Sequence, residues 1–294
     1  MSRALILGAV FVDVVVNVPT LPTSGADVTG EAVASHVGGC AYNVYGAVRA
    51  AGQIAELFVP VGIGEQAATV RADFERNGIP VTLPVETGDN GWDLALVEPD
   101  GERSFLTIDG VEQCWQPAWF DRLDLTSYDY FYISGYELEN PISAQVILQA
   151  LAQRHSQAYV VFDPSPRVTH LPADCRDAIL SDRVMVHCNE AELDELVPGG
   201  DNLEDKLHRL FTLTHSPVIV TLGQRGTVYY NGQTSQTLPG ATVPVTNTIG
   251  AGDTHCGGLL AGLMAGMDLK TAVRQANELA AQVIQQVNGC LPLK

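Results

Sequence analysis

The chain has 294 residues, of which 46% are hydrophobic, and it carries a formal net charge of −18 at pH 7. This length and apolar fraction suit one large α/β domain or two small ones, and they exclude general disorder. The acidic balance argues against nucleic acid and against an anionic membrane as partners, because both would be repelled.

The six cysteines show no CxxC or metal-knuckle spacing. In a chain of this size without a signal peptide, free thiols are expected rather than disulfides. The apolar N-terminal stretch at residues 4–18 is too short for a membrane span and is interrupted by Asp13. We therefore expect a protein of the reducing cytoplasm.

The first half of the chain begins with one predicted strand, the β-branched run RALILGAVFVDVVV at residues 3–16. After a loop or edge strand, a glycine turn opens a helix in GGCAYNVYGAVRAAG. A strand at residues 55–64 and an amphipathic helix at residues 66–79 follow. From Pro80 to Gly110 the helical period is lost, and DLALVEPDGERSFLTI predicts a hairpin in a small separate sheet.

The alternation of strand and helix returns after Trp115. Strands are predicted at YDYFYISG, QAYVVFDP, VMVHCN and PVIVTLG, and helices between them at ISAQVILQALAQRH and NLEDKLHRLFTLT. A hairpin at residues 226–240 precedes two closing helices at residues 253–266 and 269–287. Repeated βα units predict an α/β fold with a mostly parallel sheet and helices on both faces.

A glycine-rich turn enters the first of these closing helices, in TNTIGAGDTHCGGLLAGL. Such a turn exposes backbone N–H groups at the positive end of a helix, so Gly250, Ala251 and Gly252 form a candidate phosphoryl site. Asp253 would repel a phosphate, but it fits a base that takes a proton from an attacking hydroxyl. An ordinary Asp cap of the helix is the equally weighted alternative.

A double glycine, Gly38 and Gly39, precedes the first predicted helix and permits a ligand to approach the backbone closely. Asn43 offers both a donor and an acceptor, and Asp13 suits vicinal hydroxyls. These four residues are substrate-binding candidates. Taken alone, Asp13 and Asn43 are better explained as caps of a loop and a helix.

Two further candidates follow the next strands. Asn189 and Glu192 lie at i and i+3 on a starting helix and fit the waters of a Mg²⁺ ion, although a capping box is favoured in isolation. Thr221, Gly223 and Gly226 form a turn that suits the phosphate or ribose of a nucleotide. A plain strand-to-hairpin turn would look the same.

In order and spacing, these segments resemble the ribokinase-like carbohydrate kinases, the PfkB family. GAGDTHCGGLLAGL resembles the C-terminal signature of that family, GGCAYNVYGAVRAAG resembles the N-terminal one, and DPSPR, NEAE and TLGQRG fall between them. The resemblance spans nearly the whole chain. It implies a single three-layer ribokinase-like α/β domain over residues 1–294, with a central sheet flanked by helices. A β-sheet lid is implied at about residues 14–37 and 80–110.

The resemblance also implies an activity, the transfer of the γ-phosphoryl group of ATP to a primary hydroxyl of a sugar or nucleoside. Asp253 is the implied base, and the N–H groups of Gly250, Ala251 and Gly252 are the implied anion hole. Asn189 and Glu192 match positions that organise Mg²⁺ and phosphate. The remaining matches are Thr221, Gly223 and Gly226 in the nucleotide turn, Asn277 at the adenine pocket, and Asp13, Gly39 and Asn43 at sugar hydroxyls.

Departures from the family pattern bear on the substrate and ions. Residues 247–250 read Asn-Thr-Ile-Gly where the family often has Asp-Thr-Thr-Gly, which puts potassium activation in doubt. Cys40 stands where ribokinase has lysine, which weakens an assignment to ribose. Arg103 is the only basic residue from Pro80 to Gly110, so neutral sugars and nucleosides are favoured over acidic or phosphorylated ones.

Other residues and functions leave alternatives open. Trp92 and Arg103 are candidates to cover the substrate, but Trp92 is equally explained by packing within the lid. His255, which lacks a second metal ligand at suitable spacing, is interpreted as structural. Lids of this family often mediate dimers, so a homodimer through the lid is one expectation. A non-catalytic sugar or nucleoside sensor is the alternative function, whereas a dehydrogenase would need a GxGxxG turn that the first strand lacks.

Overall fold

A computed structural model describes residues 2–200, 202–286 and 289–293, without the side chain of Arg103. The chain divides into two compact units. The large unit comprises Met1–Gly8, Cys40–Phe58 and Cys114–Lys294, and the small unit comprises Ala9–Gly39 and Val59–Gln113.

The strands and helices of the described residues follow one another along most of the chain. The strands are β1 (Ala4–Leu7), β2 (Phe11–Asn17), β3 (Glu31–Gly38), β4 (Glu56–Phe58), β5 (Pro60–Val61), β6 (Leu83–Pro84), β7 (Trp92–Val97), β8 (Arg103–Ile108), β9 (Tyr130–Ser134), β10 (Tyr159–Asp163), β11 (Val184–Asn189), β12 (Val218–Thr221), β13 (Thr227–Tyr230) and β14 (Ser235–Leu238). The α-helices are α1 (Cys40–Ala50), α2 (Glu65–Arg76), α3 (Pro117–Phe120), α4 (Pro141–Leu151), α5 (Ala173–Ile179), α6 (Glu190–Leu196), α7 (Leu203–Thr214), α8 (Ala251–Met264) and α9 (Leu269–Val283). Short 3₁₀ turns lie at Val111–Gln113, Leu125–Ser127, Gly135–Leu138, Ser165–His170 and Gly223–Arg225. Among these helices, none combines the length and the apolar character that crossing a membrane requires.

The main sheet lies in the large unit and has eight strands in the part of the chain that the structure describes. Their order across the sheet is β14-β13-β12-β11-β10-β9-β1-β4. Every pair from β4 to β12 is parallel, and only the β12–β13 and β13–β14 pairs are antiparallel. The predicted mostly parallel α/β sheet is therefore confirmed.

Helices cover this sheet on both faces. All four residues of β1 are buried, as are the last four residues of β9. Because successive side chains of a strand point to opposite faces, such runs need apolar cover on both sides. Helix α8 contacts β10 and β11, and helix α7 contacts β11, β12 and β13.

Small residues bring helix α8 close to its neighbours α1 and α9. A methyl group at Gly257 would overlap the carbonyl oxygen of Val44 in α1. A methyl group at Gly258 would lie 2.9 Å from the Cα atom of Ala276 in α9. This close packing sets the distance between the N-terminal turns of α1 and α8, where the candidate site lies.

The small unit has its own four-stranded sheet in the order β3-β2-β7-β8, with a parallel β2–β7 pair between two antiparallel pairs. The β7–β8 hairpin confirms the predicted one. These strands fall in or beside the segments predicted as lid inserts, at about residues 14–37 and 80–110. The assignment of this unit as a lid on a single domain stays a prediction.

Two predicted strands are wrong, because the structure divides each of them between two sheets. The apolar run at residues 3–16 forms two strands in different sheets, since β1 pairs with β4 and β9 whereas β2 pairs with β3 and β7. Gly8, with φ of 150°, lies between them. Residues 55–64 are divided in the same way between β4 and β5. An unbroken apolar run shows that strands are buried, but it carries no information about their partners.

Candidate active site

Polar side chains follow the strands at the carboxyl edge of the main sheet. Asp163 ends β10, Asn189 ends β11 and Thr221 ends β12. Asn189 pairs with Thr221 in the ladder, and Asp163 pairs with Ser134 at the end of β9. Two predicted site residues, Asn189 and Thr221, are thereby neighbours at the edge where parallel sheets bind ligands.

The glycine turn at residues 250–252 begins helix α8. Gly250 is the N-cap, with φ of 71°, and a methyl group there would overlap the carbonyl oxygen of Gly289. Only glycine suits this left-handed and crowded position. At Gly252, by contrast, an added methyl group would meet no described heavy atom within 4 Å. The turn is therefore tightly held on one side and open beside Gly252.

Asp253 lies in the first turn of α8 but does not cap it. Its Oδ2 atom accepts a hydrogen bond of 2.9 Å from Nδ2 of Asn43. The thiol of Cys40 donates a second bond to the same carboxylate. The alternative of an ordinary Asp cap is therefore wrong, because the carboxylate is directed toward helix α1.

Burial is the main cause that raises the pKa of Asp253 to about 6. The charge of Asp163 raises it further, whereas the bonds from Asn43 and Cys40 and the nearby His187 lower it. At neutral pH the carboxylate is mostly ionised, and its pKa is close enough to neutrality for general base chemistry.

Cys40, which had no assigned role in the sequence beyond its departure from the family pattern, contacts the candidate base. Burial and then the charge of Asp253 raise the pKa of its thiol well above the ordinary value. The group is therefore a protonated donor at neutral pH rather than a thiolate nucleophile. Cys40 and Asn43, three residues apart on α1, present two donors on one helical face.

Asn189 and Glu192 form the capping box that the sequence allowed as an alternative. Oδ1 of Asn189 accepts from the Glu192 N–H at 2.9 Å, and Oε2 of Glu192 accepts from the Asn189 N–H at 2.8 Å. Burial and then the charge of Asp163 raise the pKa of Glu192 to about 7. A cation beside two repelling carboxylates would offset their repulsion, so oxygen ligands of this kind fit Mg²⁺.

The predicted nucleotide residues also come together. Gly223 and Gly226 have φ of 58° and 93°, and a methyl group at Gly226 would overlap the carbonyl oxygen of Leu238. Thr227, the residue after Gly226, donates a 2.7 Å hydrogen bond to Oδ1 of Asn277. Asn277 of helix α9 therefore lies against the predicted turn, although 50 residues separate it from Thr227.

A buried histidine pair lies between the turn and the base, and the sequence did not indicate it. Nδ1 of His187 lies 2.9 Å from Oδ2 of Asp163, and Nε2 of His187 lies 2.8 Å from Nδ1 of His255. Nε2 of His255 lies 2.9 Å from Oγ1 of Thr227 and 3.1 Å from Oδ1 of Asn277. The hydrogen bonds of His255 agree with its interpretation as a structural residue.

Asp163, His187 and Cys256 also have potential metal-ligating atoms within 4.8 Å of one another. Metal ligands must be deprotonated, yet burial raises the pKa of the Cys256 thiol well above its ordinary value. Both ring nitrogens of His187 are already engaged in hydrogen bonds. This cluster is therefore better suited to hydrogen bonding than to metal binding.

The other substrate candidates belong to the small unit. A methyl group at Gly38 would overlap Oδ2 of Asp13, and Nε2 of His36 lies 3.4 Å from the same oxygen. Gly39 has φ of 101°. Trp92 is half-buried in β7, and the side chain of Arg103 lies outside the described part of the chain. That these residues meet a substrate beside Asp253 stays a prediction.

Some site residues were missed for different reasons. Asp163 is the first polar residue after the apolar run VVF, and the rule that selected Asn189 and Thr221 would also have selected it. His187 lies in the middle of the strand VMVHCN, and the local sequence pattern does not indicate that it belongs to a site. Its importance depends on contacts with residues 24 and 68 positions away.

Comparisons with known proteins show the family and the fold of the chain. Residues 1–294 match the family described as pfkB family carbohydrate kinase. The chain is 32% identical over 304 residues to the "Uncharacterized sugar kinase YegV" of Escherichia coli, covering 100% of this chain and 92% of that protein. It is 27% identical to the "ATP-dependent ribose-1-phosphate kinase" of Halopiger xanaduensis, covering 96% and 91%. The adenosine kinase structure from Sinorhizobium meliloti superposes with a TM-score of 0.85 at 22% identity, covering 100% and 96%, which shows a shared fold.

Proposed function

The chain belongs to the pfkB family of carbohydrate kinases, and on that premise we propose that it transfers the γ-phosphoryl group of ATP to a primary hydroxyl of a neutral sugar or a nucleoside. The observation that carries the proposal is the position of Asp253. Its carboxylate has a pKa raised to about 6 and lies in the first turn of a helix that begins with Gly250. A proton acceptor and the first N–H groups of a helix are thereby within one helical turn, although the Ala251 N–H already donates a 3.3 Å hydrogen bond to the carbonyl oxygen of Thr248.

In the proposed reaction, Asp253 accepts the proton of the substrate hydroxyl. The hydroxyl oxygen forms a bond to the γ-phosphorus as the bond between that phosphorus and the β–γ bridging oxygen breaks, and ADP leaves with the electron pair. The N–H groups of Gly250, Ala251 and Gly252 stabilise the charge on the phosphoryl oxygens. Asn43 and Cys40 hold the base in place.

Nucleotide and ion binding are assigned to the neighbouring residues. Thr221, Gly223, Gly226 and Asn277 would bind ATP, which is supported by the contact of Asn277 with Thr227. Glu192 and Asn189 are the residues that would hold a Mg²⁺ ion, which supplies positive charge to the phosphates when it is bound. A monovalent cation is not part of the proposal.

The acceptor is proposed from the small unit and the relatives together. Asp13, Gly38 and Gly39 would contact its hydroxyls with Asn43, and Trp92 and Arg103 would cover it. Curated relatives include a ribokinase and an adenosine kinase, which supports sugars and nucleosides as acceptors, whereas a further relative is named as a ribose-1-phosphate kinase and represents the opposing class of phosphorylated sugars. A neutral acceptor is preferred because Arg103 is the only basic residue from Pro80 to Gly110.

A phosphorylation screen with Mg-ATP tests the proposal. ADP release is measured with neutral sugars, nucleosides and, as the opposing class, sugar phosphates. We expect turnover with at least one neutral acceptor and none without acceptor. ATP-independent binding of a sugar or nucleoside without turnover would instead support the sensor alternative. Turnover only with a sugar phosphate would overturn the neutral class while leaving the kinase intact. A homodimer through the small unit and a cytoplasmic location stay predictions.

A further inference from the structure

A hydrogen-bonded chain of side chains connects the surroundings of the base to the proposed nucleotide site. It runs from Asp163 through His187, His255 and Thr227 to Asn277, with links of 2.9, 2.8, 2.9 and 2.7 Å. The first four residues are at most 7% exposed, and Asn277 is half-buried. The proposed mechanism uses Asn277 but gives no role to His187 or His255.

The contacts of Asn277 determine which atom donates and which accepts at each hydrogen bond of this series of side chains. Nδ2 of Asn277 donates to the carbonyl oxygen of Pro239 at 3.3 Å, and a carbonyl can only accept. Oδ1 of Asn277 therefore faces Thr227 and His255, and it must accept from both. The Thr227 hydroxyl donates its hydrogen to Oδ1, so Nε2 of His255 carries the hydrogen that Thr227 accepts.

The same logic continues through the histidines. Burial and the nearby His187 lower the pKa of His255 well below its ordinary value, so this ring is neutral at pH 7. With hydrogen on Nε2, its Nδ1 atom accepts from Nε2 of His187. Oδ2 of Asp163 lies 2.9 Å from Nδ1 of His187, and this last link requires a second hydrogen, either on Nδ1 or on the carboxyl group. If Thr227 instead donated its hydrogen to Nε2 of His255, Oδ1 of Asn277 would face two acceptors, Oγ1 of Thr227 and Nε2 of His255.

One consequence is that the amide of Asn277 cannot rotate by 180° without losing its bonds to Pro239, Thr227 and His255. The second hydrogen on Nδ2 has no acceptor among the described residues. A half-exposed amide held in this way presents a donor, and never an acceptor, to a ligand beside it.

We propose that His255 is a positioning residue for nucleotide recognition, which fixes the Asn277 amide so that it donates a hydrogen bond to an acceptor nitrogen of adenine. This inference rests on the proposed function, in which ATP lies against Asn277. The proposed acceptor is N1 of adenine, because N3 and N7 accept in both bases whereas guanine carries a hydrogen at N1, so a donor fixed against N1 favours ATP over GTP. An amide free to rotate would lose this preference.

Nucleotide affinity in His255→Leu tests the proposal. Dissociation constants for ATP and GTP are measured by calorimetry on the intact protein, so that the result does not depend on turnover. We expect the affinity for ATP to fall about tenfold, the size of one lost hydrogen bond, and the preference for ATP over GTP to fall with it. His255→Gln, which can both donate to Asn277 and accept from His187, should restore both values.

Further variants separate positioning from a general loss of stability. Thr227→Val removes the link to Asn277 without changing the side-chain volume much and should act like His255→Leu. His170→Leu, at an exposed histidine, is the matched control. Folding is checked by thermal denaturation, and the KM for the acceptor should not follow the change in ATP affinity.

The outcomes distinguish this inference from the proposed function. Unchanged ATP affinity and unchanged ATP preference in a folded His255→Leu or Thr227→Val variant would overturn the positioning role alone. ATP binding without phosphoryl transfer in the natural sequence would overturn the proposed function, while the affinities would still decide the role of His255. A protein that binds no ATP would overturn both.

Discussion

The side-chain amide of Asn43 donates a hydrogen bond of 2.9 Å to the carboxylate of Asp253, which lies 210 residues further along the chain. Asn43 is only 6% exposed, so this bond is held within the contact between helices α1 and α8. The Cys40 thiol, one turn earlier on α1, donates to the same carboxylate. The orientation of the proposed base is therefore set by a helix from the other end of the sequence.

Replacing Asp253 with Asn should remove the proton acceptor without changing its shape. We expect kcat to fall by about 10²- to 10⁴-fold, the usual contribution of a general base, and the affinity for ATP to stay near that of the natural protein. Steady-state kinetics and calorimetry measure the two quantities. Asp177→Asn, at an exposed carboxylate, is the control. Turnover at the natural rate in Asp253→Asn would show that another group accepts the proton.

The pH dependence of activity should report the ionisation of Asp253. Because its pKa is raised to about 6, the carboxylate is protonated below that pH and can no longer accept a proton. We expect kcat/KM to fall about tenfold for each pH unit below 6. A profile that stays flat down to pH 5 would be inconsistent with Asp253 as the base.

The same shift predicts a pH-dependent stability. A carboxyl whose pKa is higher in the folded than in the unfolded chain binds more protons when folded, between its ordinary pKa and about 6. Ionisation of Asp253 should therefore lower the free energy of unfolding as the pH rises through this window. Asp253→Asn should lose this part of the dependence. Urea denaturation of both proteins from pH 4 to 7 measures the difference, and identical curves would contradict the raised pKa.

The thiol of Cys40 should lower the pKa of the proposed base, Asp253. Its hydrogen bond lowers the pKa of Asp253, so Cys40→Ala should move the acidic limb of the pH–rate profile to higher pH. Cys40→Ser keeps a donor and should keep the limb in place or move it to lower pH. Cys114→Ser, at an exposed cysteine, serves as control. If Cys40→Ala leaves the acidic limb at the pH found for the natural protein, the thiol has no effect on the pKa of the base.

Gly252 tests the anion hole separately from folding. Because an added methyl group meets no described atom within 4 Å, Gly252→Ala should leave the free energy of unfolding unchanged or raise it by up to about 1 kcal/mol. If phosphate approaches the backbone here, the methyl group should still raise the KM for ATP and lower kcat. Gly250→Ala, at a left-handed and crowded position, should instead reduce stability. Full activity in Gly252→Ala would argue against a phosphoryl group at this turn.

Glu192→Gln tests the proposed Mg²⁺ contact. Glutamine can complete the capping box with Asn189 but carries no charge, so the helix start should be preserved. Removing a carboxylate that is buried beside Asp163 should not destabilise the fold. The Mg²⁺ concentration for half-maximal activity should rise, and an unchanged Mg²⁺ titration would exclude Glu192 from the ion site.

Several segments of the candidate site were recognisable in the sequence because their signals are local, whereas their roles in binding and catalysis stay predictions. Gly250–Asp253, Asn189 with Glu192, and Thr221 to Gly226 each lie within a few residues, at the point where a strand ends or a helix begins. Parallel strands end at a common edge, so Asn189 and Thr221 could be expected to be neighbours. The same logic failed at residues 3–16, where one apolar run serves two sheets.

Local sequence was therefore sufficient for the order and type of most elements, for the mostly parallel sheet and for the residue types in the turn before α8. It could not show that Cys40 and Asn43 contact Asp253, or that His187 and His255 connect Asp163 to Asn277. Those contacts join residues 22 to more than 200 positions apart. They arise from how closely helices pack, as where Gly257 admits the backbone of Val44, and the periodicity of a segment describes its own burial but not its partner.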